Sequence, residues 1–321
     1  MTYRIACLSP YSEEVVRSLL PGDAEVEVAL APPPPAPEAL PELLRDADLV
    51  LGDKRHRHRL DRSVLAVMTR CRLIQQPAAG FDTIDHRAAA ELGIPVANAA
   101  GYNRDSVADW VIMAVLTLVR HGVEADRRMR RGEWPPGELV GRELGSLTVG
   151  IVGLGNIGGA VATRLQAFGC RILFADDIPR SLPGAEAVEL DRLLAESDVV
   201  TVHVPLDDRT RGFIDARRLA EMKPGAFLVN ASRGPVVDET ALIEALEGGH
   251  LGGAALDVFE QEPLSPDSPL RRMENVFLTP HIAGLTAEAE ARLLEVCAAN
   301  FRRVLEGREP FNVVNGVTRR A

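Results

Sequence analysis

No run in this chain is apolar for long enough to span a bilayer or to act as a secretory signal, and the N-terminus opens directly on the strand-like Arg4-Ile5-Ala6-Cys7-Leu8. A cytoplasmic protein with no membrane partner is therefore expected. Cysteine is scarce: Cys7, Cys71, Cys170 and Cys297 lie far apart and form no Cys-x-x-Cys pair, so neither a disulfide framework nor a metal site is suggested. Positive charge is also in deficit. The 36 Lys and Arg against 46 Asp and Glu leave a net charge of −10, which argues against nucleic acid as a partner because binding phosphates demands a basic face. At 321 residues the chain is longer than a single core usually supports, and two domains are expected.

What is present centres on residues 148–158, where the apolar Thr148-Val149-Gly150-Ile151-Val152 runs into Gly153-Leu154-Gly155-Asn156-Ile157-Gly158. This Gly-x-Gly-x-x-Gly turn between a strand and a helix reads as a dinucleotide cradle. Gly153 allows the tight turn, Gly155 lets the backbone approach a pyrophosphate, and Gly158 lets the helix lie close to the strand. The N–H groups of Asn156 and Ile157, at the positive end of the helix dipole, supply the anion site. After a helix over residues 157–168 closed by Gly169, a second apolar strand, residues 171–175, ends in Asp176, 23 residues beyond Gly153. That is the place of a ribose-binding acid, whose charge accepts ribose hydroxyls and repels a 2′-phosphate, so NAD is the expected cofactor. Arg180, four residues on, pulls the other way.

Short apolar strands alternate with helical stretches through the first hundred residues, at 3–8, 25–30, 48–51, 73–76 and 95–98, and imply a small parallel α/β sheet. The proline run at 32–37 suits a surface connection. An apolar helix over 105–120, with Ser106 or Asp105 as its cap, is expected to cross into the second domain. Strands at 199–204, 226–230, 253–257 and 276–278 join 149–152 and 171–175 in a doubly wound sheet. The helix at 286–306 comes too late for that sheet and is expected to return to the first domain. The expected organisation is thus a Rossmann domain, 101–285, inserted in a flavodoxin-like substrate domain, 1–100 plus 286–321.

Three segments stand at the ends of late strands: Asn230-Ala231-Ser232-Arg233-Gly234, then Asp257-Val258-Phe259-Glu260-Gln261-Glu262-Pro263, then Thr279-Pro280-His281-Ile282-Ala283-Gly284. Reducing a 2-keto acid requires a cation for the carboxylate, a proton donor for the nascent alkoxide, and a carboxylate that keeps that donor protonated. Arg233, with its planar fork, His281, of a residue type that ordinarily titrates near working pH, and Glu262 match those roles.

These motifs resemble the D-isomer-specific 2-hydroxyacid dehydrogenases over nearly the whole chain: the glycine fingerprint at 152–158, Asn-x-x-Arg-Gly-x-x-Val-Asp at 230–238, Asp-Val-x-x-x-Glu-Pro at 257–263, and Pro280-His281. The resemblance implies that Arg233 orients the substrate, Glu262 supports the histidine, and His281 is the general acid or base. It implies that Asp257 holds the nicotinamide carboxamide, Val204 and Pro205 flank the adenine, and Thr210, Ser106, Ala231, Ser232 and Gly284 also meet the cofactor. It places a substrate carboxylate on backbone N–H groups such as those of Ala79 and Gly80, and implies a homodimer with a Trp-bearing arm, residues 120–145, wrapping the partner. Asn103, in Asn103-Arg104-Asp105-Ser106-Val107-Ala108, resembles a substrate-binding asparagine of formate dehydrogenases. Those carry Gln-Pro where this chain has Glu262-Pro263, and formate oxidation exchanges no proton, so Glu beside His favours a hydroxy acid. Phosphite dehydrogenases, which keep Arg, Glu and His, and NAD-sensing co-regulators of the same fold are the alternatives.

One further motif is the basic run Lys54-Arg55-His56-Arg57-His58-Arg59 in an otherwise acidic chain. Such runs are more often solvated faces than sites. Its place after a strand raises the alternative that Lys54, Arg55, Arg57 or Arg59 recognises a second negative group on the substrate.

Overall fold

The computed structural model describes residues 2–22, 24–32, 37–134 and 137–318; most of the proline run therefore lies outside the described residues. By contact density the chain divides into two compact units, one comprising residues up to Asn103 together with those from Thr286 onward, the other Arg104–Leu285.

The first unit runs β1 (Tyr3–Cys7), α1 (Glu13–Ser18), β2 (Val26–Leu30), α2 (Leu40–Leu44), β3 (Leu49–Leu51), α3 (Arg62–Ala66), β4 (Leu73–Gln75), α4 (His86–Glu91) and β5 (Val96–Ala97). All five strands are parallel, in the order β2-β1-β3-β4-β5. β3, β4 and β5 are wholly buried, and β1 is buried from Ile5 on, because helices cover both faces of a parallel sheet. The second unit runs α5 (Arg104–Val119), α6 (Gly122–Arg130), β6 (Thr148–Val152), α7 (Asn156–Gln166), β7 (Arg171–Ala175), β8 (Glu186–Ala187), α8 (Leu190–Glu196), β9 (Val199–Val202), α9 (Ala216–Glu221), β10 (Phe227–Asn230), α10 (Glu239–Glu247), β11 (Gly253–Leu256) and β12 (Val276–Leu278). Its seven parallel strands take the order β12-β11-β10-β9-β6-β7-β8, the doubly wound arrangement. The final helix, α11 (Ala287–Leu305), is capped by Thr286. It buries Leu293, Cys297, Phe301 and Val304 in the core of the first unit beside β1 residues Ile5 and Cys7. That stripe recurs every three to four residues, as a helix face requires.

One strand in each sheet starts in the same way. Asp48, just before β3, accepts the Arg4 N–H at 2.9 Å while its own N–H donates to the Arg4 carbonyl. Asp198, just before β9, does the same with Thr148, at 2.8 Å in each direction. Each carboxylate sets the register of the strand beside it by pairing a backbone donor that has no ladder partner.

The helix α5 belongs to the second unit, where Val107, Val111, Ala114, Val115 and Leu118 are buried in one core with Val161 and Leu165 of α7. The expectation about its cap is corrected. Asp105 and Ser106 do not cap it, because both lie inside its first turn. There Asp105 pairs with Arg104 and with Arg164 of α7, each at 3.3 Å. The four cysteines are buried and free, and burial pushes the Cys7 thiol up to about 11. Among the described residues no single helix is long and apolar enough to cross a membrane.

Candidate active site

In the second unit the cradle begins where β6 ends. Gly153 adopts φ +92, a conformation open to glycine, and packs against the His203 carbonyl and Val204, just beyond β9. A Cβ on Gly158 would overlap the Gly153 carbonyl, whereas one on Gly155 would meet nothing within 4 Å. One glycine thus lets the helix close on the turn, and the other leaves open space above it. Gly155 caps α7 and offers no side chain of its own to the first-turn N–H groups, those of Asn156 and Ile157 among them. These features fit a pyrophosphate. Asp176 sits at the end of β7 with its side chain 7 % exposed. Its Oδ2 accepts the Leu154 N–H at 2.6 Å and the Arg180 Nε–H at 3.1 Å, and its Oδ1 accepts the Ile178 N–H. Burial acts to raise its pKa, but those two N–H groups and the Arg180 charge together hold it below the usual carboxylate value. Thr210 closes a local turn, its hydroxyl donating to the Pro205 carbonyl at 2.6 Å.

The Arg233 segment is shaped by Asn230, the buried last residue of β10. Its Oδ1 accepts from the Ser232 N–H and hydroxyl, and its Nδ2 donates to the Arg233 carbonyl at 3.0 Å. Gly234 follows because any Cβ there would overlap the Phe259 backbone. That close approach brings the Arg233 turn against the segment carrying Glu262. Glu262 Oε1 accepts the Phe259 N–H at 3.1 Å, and Oε2 lies 2.8 Å from His281 Nδ1. Burial pushes the Glu262 carboxyl up. The His281 ring, the Phe259 N–H and the Arg233 guanidinium outweigh it and hold the group below its ordinary value. The ionised carboxylate only accepts, so Nδ1 carries a proton and Nε2 is left for other chemistry.

His281 sits in a left-handed turn at φ 56, a conformation uncommon outside glycine. Asp257 holds the turn. Its carbonyl accepts the His281 N–H at 2.8 Å, and its carboxylate accepts the Ile282 and Ala283 N–H groups, each at 2.8 Å, together with the Thr279 hydroxyl. Only 1 % exposed, Asp257 has its pKa raised by burial, against these same hydrogen bonds. In the structure its place is thus beneath the histidine turn. The clamp and the part played by Gly234 were missed from sequence, although a Gly directly after the Arg and an Asp at a strand end were the available signals. Ala231, Ser232 and Gly284 are half-buried beside these turns, and Ser106 is buried in α5.

In the first unit Ala79 and Gly80 follow β4, and their N–H groups make no hydrogen bond among the described residues. Asn103 has a buried Oδ1 that also has no partner among the described residues.

A glycine turn, an acid at the end of the second strand and a His–Glu pair at the ends of later strands define a dinucleotide-dependent oxidoreductase. The pattern of the D-isomer specific 2-hydroxyacid dehydrogenase NAD-binding domain matches residues 112–283. The chain is 42% identical over 294 residues to a glyoxylate reductase of Thermofilum pendens, covering 88% of this chain and 85% of that one. Over 256 residues it is 41% identical to an (S)-sulfolactate dehydrogenase of Chromohalobacter salexigens, covering 78% and 83%. The D-lactate dehydrogenase of Aquifex aeolicus, solved with NAD and lactic acid, superposes with a TM-score of 0.85 at 30% identity, covering 97% and 99%. The chain belongs to the D-isomer specific 2-hydroxyacid dehydrogenase family and is an NAD-dependent 2-hydroxyacid dehydrogenase.

Proposed function

We propose that the protein interconverts a small 2-keto acid and its D-2-hydroxy acid, with His281 as general acid and base and Arg233 orienting the substrate carboxylate. The carrying observation is the 2.8 Å contact between His281 Nδ1 and an ionised Glu262. Bound NAD(H) supplies or accepts the hydride. In reduction, His281 Nε2 gives its proton to the substrate oxygen, and Glu262 stabilises the imidazolium before that transfer; oxidation reverses the step. Arg233 offers two parallel N–H donors to a carboxylate. Asp257 keeps the imidazole in place, and Asp176 receives ribose hydroxyls. In the first unit, the N–H groups of Ala79 and Gly80 and the amide of Asn103 are the proposed substrate contacts.

The relatives' names span glyoxylate and sulfolactate, so a 2-keto acid is the class to test. Following NADH absorbance with glyoxylate, pyruvate, hydroxypyruvate and 2-oxoglutarate tests the reading; turnover of none would overturn it. The Glu262–Pro263 pair counts against formate as substrate, since proton exchange is what the Glu–His pair provides.

A homodimer is also proposed. None of the described residues of α6 is buried, and Met129, Trp134 and Val140 are 49%, 79% and 76% exposed. Apolar side chains so exposed on one arm favour a protein partner. Light scattering at micromolar concentration tests it, a monomeric mass being the contrary result.

A further inference from the structure

Helix α10 begins where the Arg233 turn ends. The short helical turn Gly234–Val236 leads through Val237 to Asp238, whose carboxylate caps α10 by accepting the Ala241 N–H at 2.9 Å. Glu239, the first helical residue, presents an N–H that has no partner within the helix. Glu260, on the segment that follows β11, supplies one, its Oε1 accepting the Glu239 N–H at 3.2 Å. The Glu260 N–H in turn donates to Glu239 Oε2 at 3.1 Å. Each glutamate thus binds the backbone of the other. Burial and then the like charge of Glu260 push the Glu239 carboxyl up, against the hydrogen bond from the Glu260 N–H. What offsets the repulsion is the pairing of two backbone donors and the positive end of the α10 dipole. The other charged groups beside the pair are Asp238 and Arg211, which line an adjoining recess with Glu260.

The pair lies two residues from the carboxylate that meets His281. In the segment after β11, two consecutive N–H groups are bound by carboxylates, that of Phe259 by Glu262 Oε1 at 3.1 Å and that of Glu260 by Glu239. The first bond leaves Glu262 Oε2 to face His281 Nδ1, and the second ties the segment to α10. Gly234 packs on the same stretch, where a Cβ would overlap the Phe259 carbonyl group and the Glu260 nitrogen. The Arg233 turn has an anchor of its own, since Asn230 Nδ2 donates to the Arg233 carbonyl at 3.0 Å. Loss of the Glu239–Glu260 link therefore frees the Glu262 segment and leaves the arginine in place. Besides Glu262, the ionisable groups around the histidine are Asp257, which the His281 charge reaches, and Arg233, whose charge reaches Glu262.

We propose that Glu239 and Glu260 are positioning residues for proton transfer, their reciprocal bonds holding the segment so that the Glu262 carboxylate stays against His281. This rests on the reading of Glu262 and His281 as the pair that handles the proton. A misplacement of about 1 Å can cost about 10²-fold in rate, and a segment that has lost one of its two carboxylate anchors samples such displacements part of the time.

The test compares wild type with Glu239→Ala, Glu239→Gln and Glu260→Ala, and with Glu247→Ala, at the other end of α10, as a control for charge. Alanine suits the first turn of a helix that keeps its Asp238 cap, and the exposed Glu260 side chain probes the same link from the other side. NADH oxidation with glyoxylate, followed across pH, should show for Glu239→Ala a kcat lower by about tenfold, a KM changed less than about threefold, and a rate that fades at lower pH than in wild type. Glutamine keeps an acceptor for the Glu260 N–H and should restore kcat and the pH profile. Glu260→Ala should act in the same direction as Glu239→Ala, and Glu247→Ala should change nothing. Because Glu239 acts through Glu262, adding Glu239→Ala to Glu262→Gln should move the pH profile no further. A second measurement needs no turnover. In NADH-loaded protein carrying isotope-labelled histidine, the NMR titration of the His281 ring, assigned by its loss in His281→Gln, should move to lower pH in Glu239→Ala and return in Glu239→Gln. If that shift appears while no keto acid is reduced, the dehydrogenase reading alone falls. An unmoved His281 titration in Glu239→Ala, an effect that glutamine fails to restore, or one that adds in full to that of Glu262→Gln overturns the positioning role.

Discussion

Replacing Glu262 by Gln removes a charge and little volume, so it isolates what the carboxylate does for His281. The ring and the carboxylate are 2.8 Å apart at their nearest atoms, and their side chains are 42% and 37% exposed. Unit charges about 4 Å apart interact by about 1 kcal/mol in water and about 4 kcal/mol at a protein surface. Exposure of this degree screens the pair and places it nearer the lower end, at about 1–2 kcal/mol. Reduction consumes a proton, so its rate fades as pH rises, and in Glu262→Gln that fading is expected at lower pH than in wild type, because the neutral amide no longer stabilises the imidazolium. The acid limb of hydroxy-acid oxidation should move in the same direction. The wild-type pair persists as pH falls, because the Glu262 carboxyl, held below its ordinary value of 4.5, stays ionised through neutral and mildly acid pH. The assay is initial-rate NADH oxidation with glyoxylate from pH 5 to 9, with kcat and kcat/KM fitted separately. Unmoved limbs in both directions would refute the electrostatic role. An equal loss at every pH, with a lower Tm, would show that Glu262 serves only to hold the turn.

Four other outcomes are expected. His281→Gln should lower kcat by about 10²- to 10⁴-fold while NADH affinity stays near wild type, and a loss under tenfold would remove it as the acid. Asp176→Ala should weaken NADH about 10- to 100-fold in calorimetry, the value of a charge-assisted bond, and free Arg180 so that NADPH binds better; a wild type that already prefers NADPH contradicts this. Gly234→Ala forces a Cβ against the Phe259 backbone and should raise KM for the keto acid at least about tenfold by displacing Arg233, at an overpacking cost of about 1–3 kcal/mol; unchanged kinetics would show that the turn absorbs it. Asp198→Asn should destabilise the protein by about 1.5–3 kcal/mol at pH 7, since Asp198 bonds Lys223, the Thr148 N–H and Arg142. Burial acts to raise its pKa, but these bonds lower it, so its stabilisation is full above the ordinary 3.8 and is lost as pH falls through the depressed folded value. Thermal unfolding should show the gap between variant and wild type closing on acidification, and a gap constant down to pH 2 would contradict that assignment.

The elements that could be read directly are those whose signal is local. β6, the glycine turn, α7 and β7 follow from an apolar run, three glycines and a helical period, each dictated by backbone sterics within a few residues. The roles proposed for Arg233, Glu262 and His281 came from residue chemistry together with family resemblance, because nothing local makes 233, 262 and 281 neighbours. Parallel β10, β11 and β12 bring those segments side by side, and Gly234 allows the close approach of the first two. β8 was not legible at all: two exposed residues carry no apolar pattern, and they form a strand only because β7 offers an edge. The cap of α5 was misread because Asp105 has competing partners, a helix N-terminus, the adjacent Arg104 and Arg164, and only the packing of α7 brings the last of these within reach. Asp257 makes the same point. A sequence shows an acid at the end of a strand. Whether it faces a ligand or turns inward to hold a loop depends on which backbone N–H groups tertiary structure leaves unpaired around it.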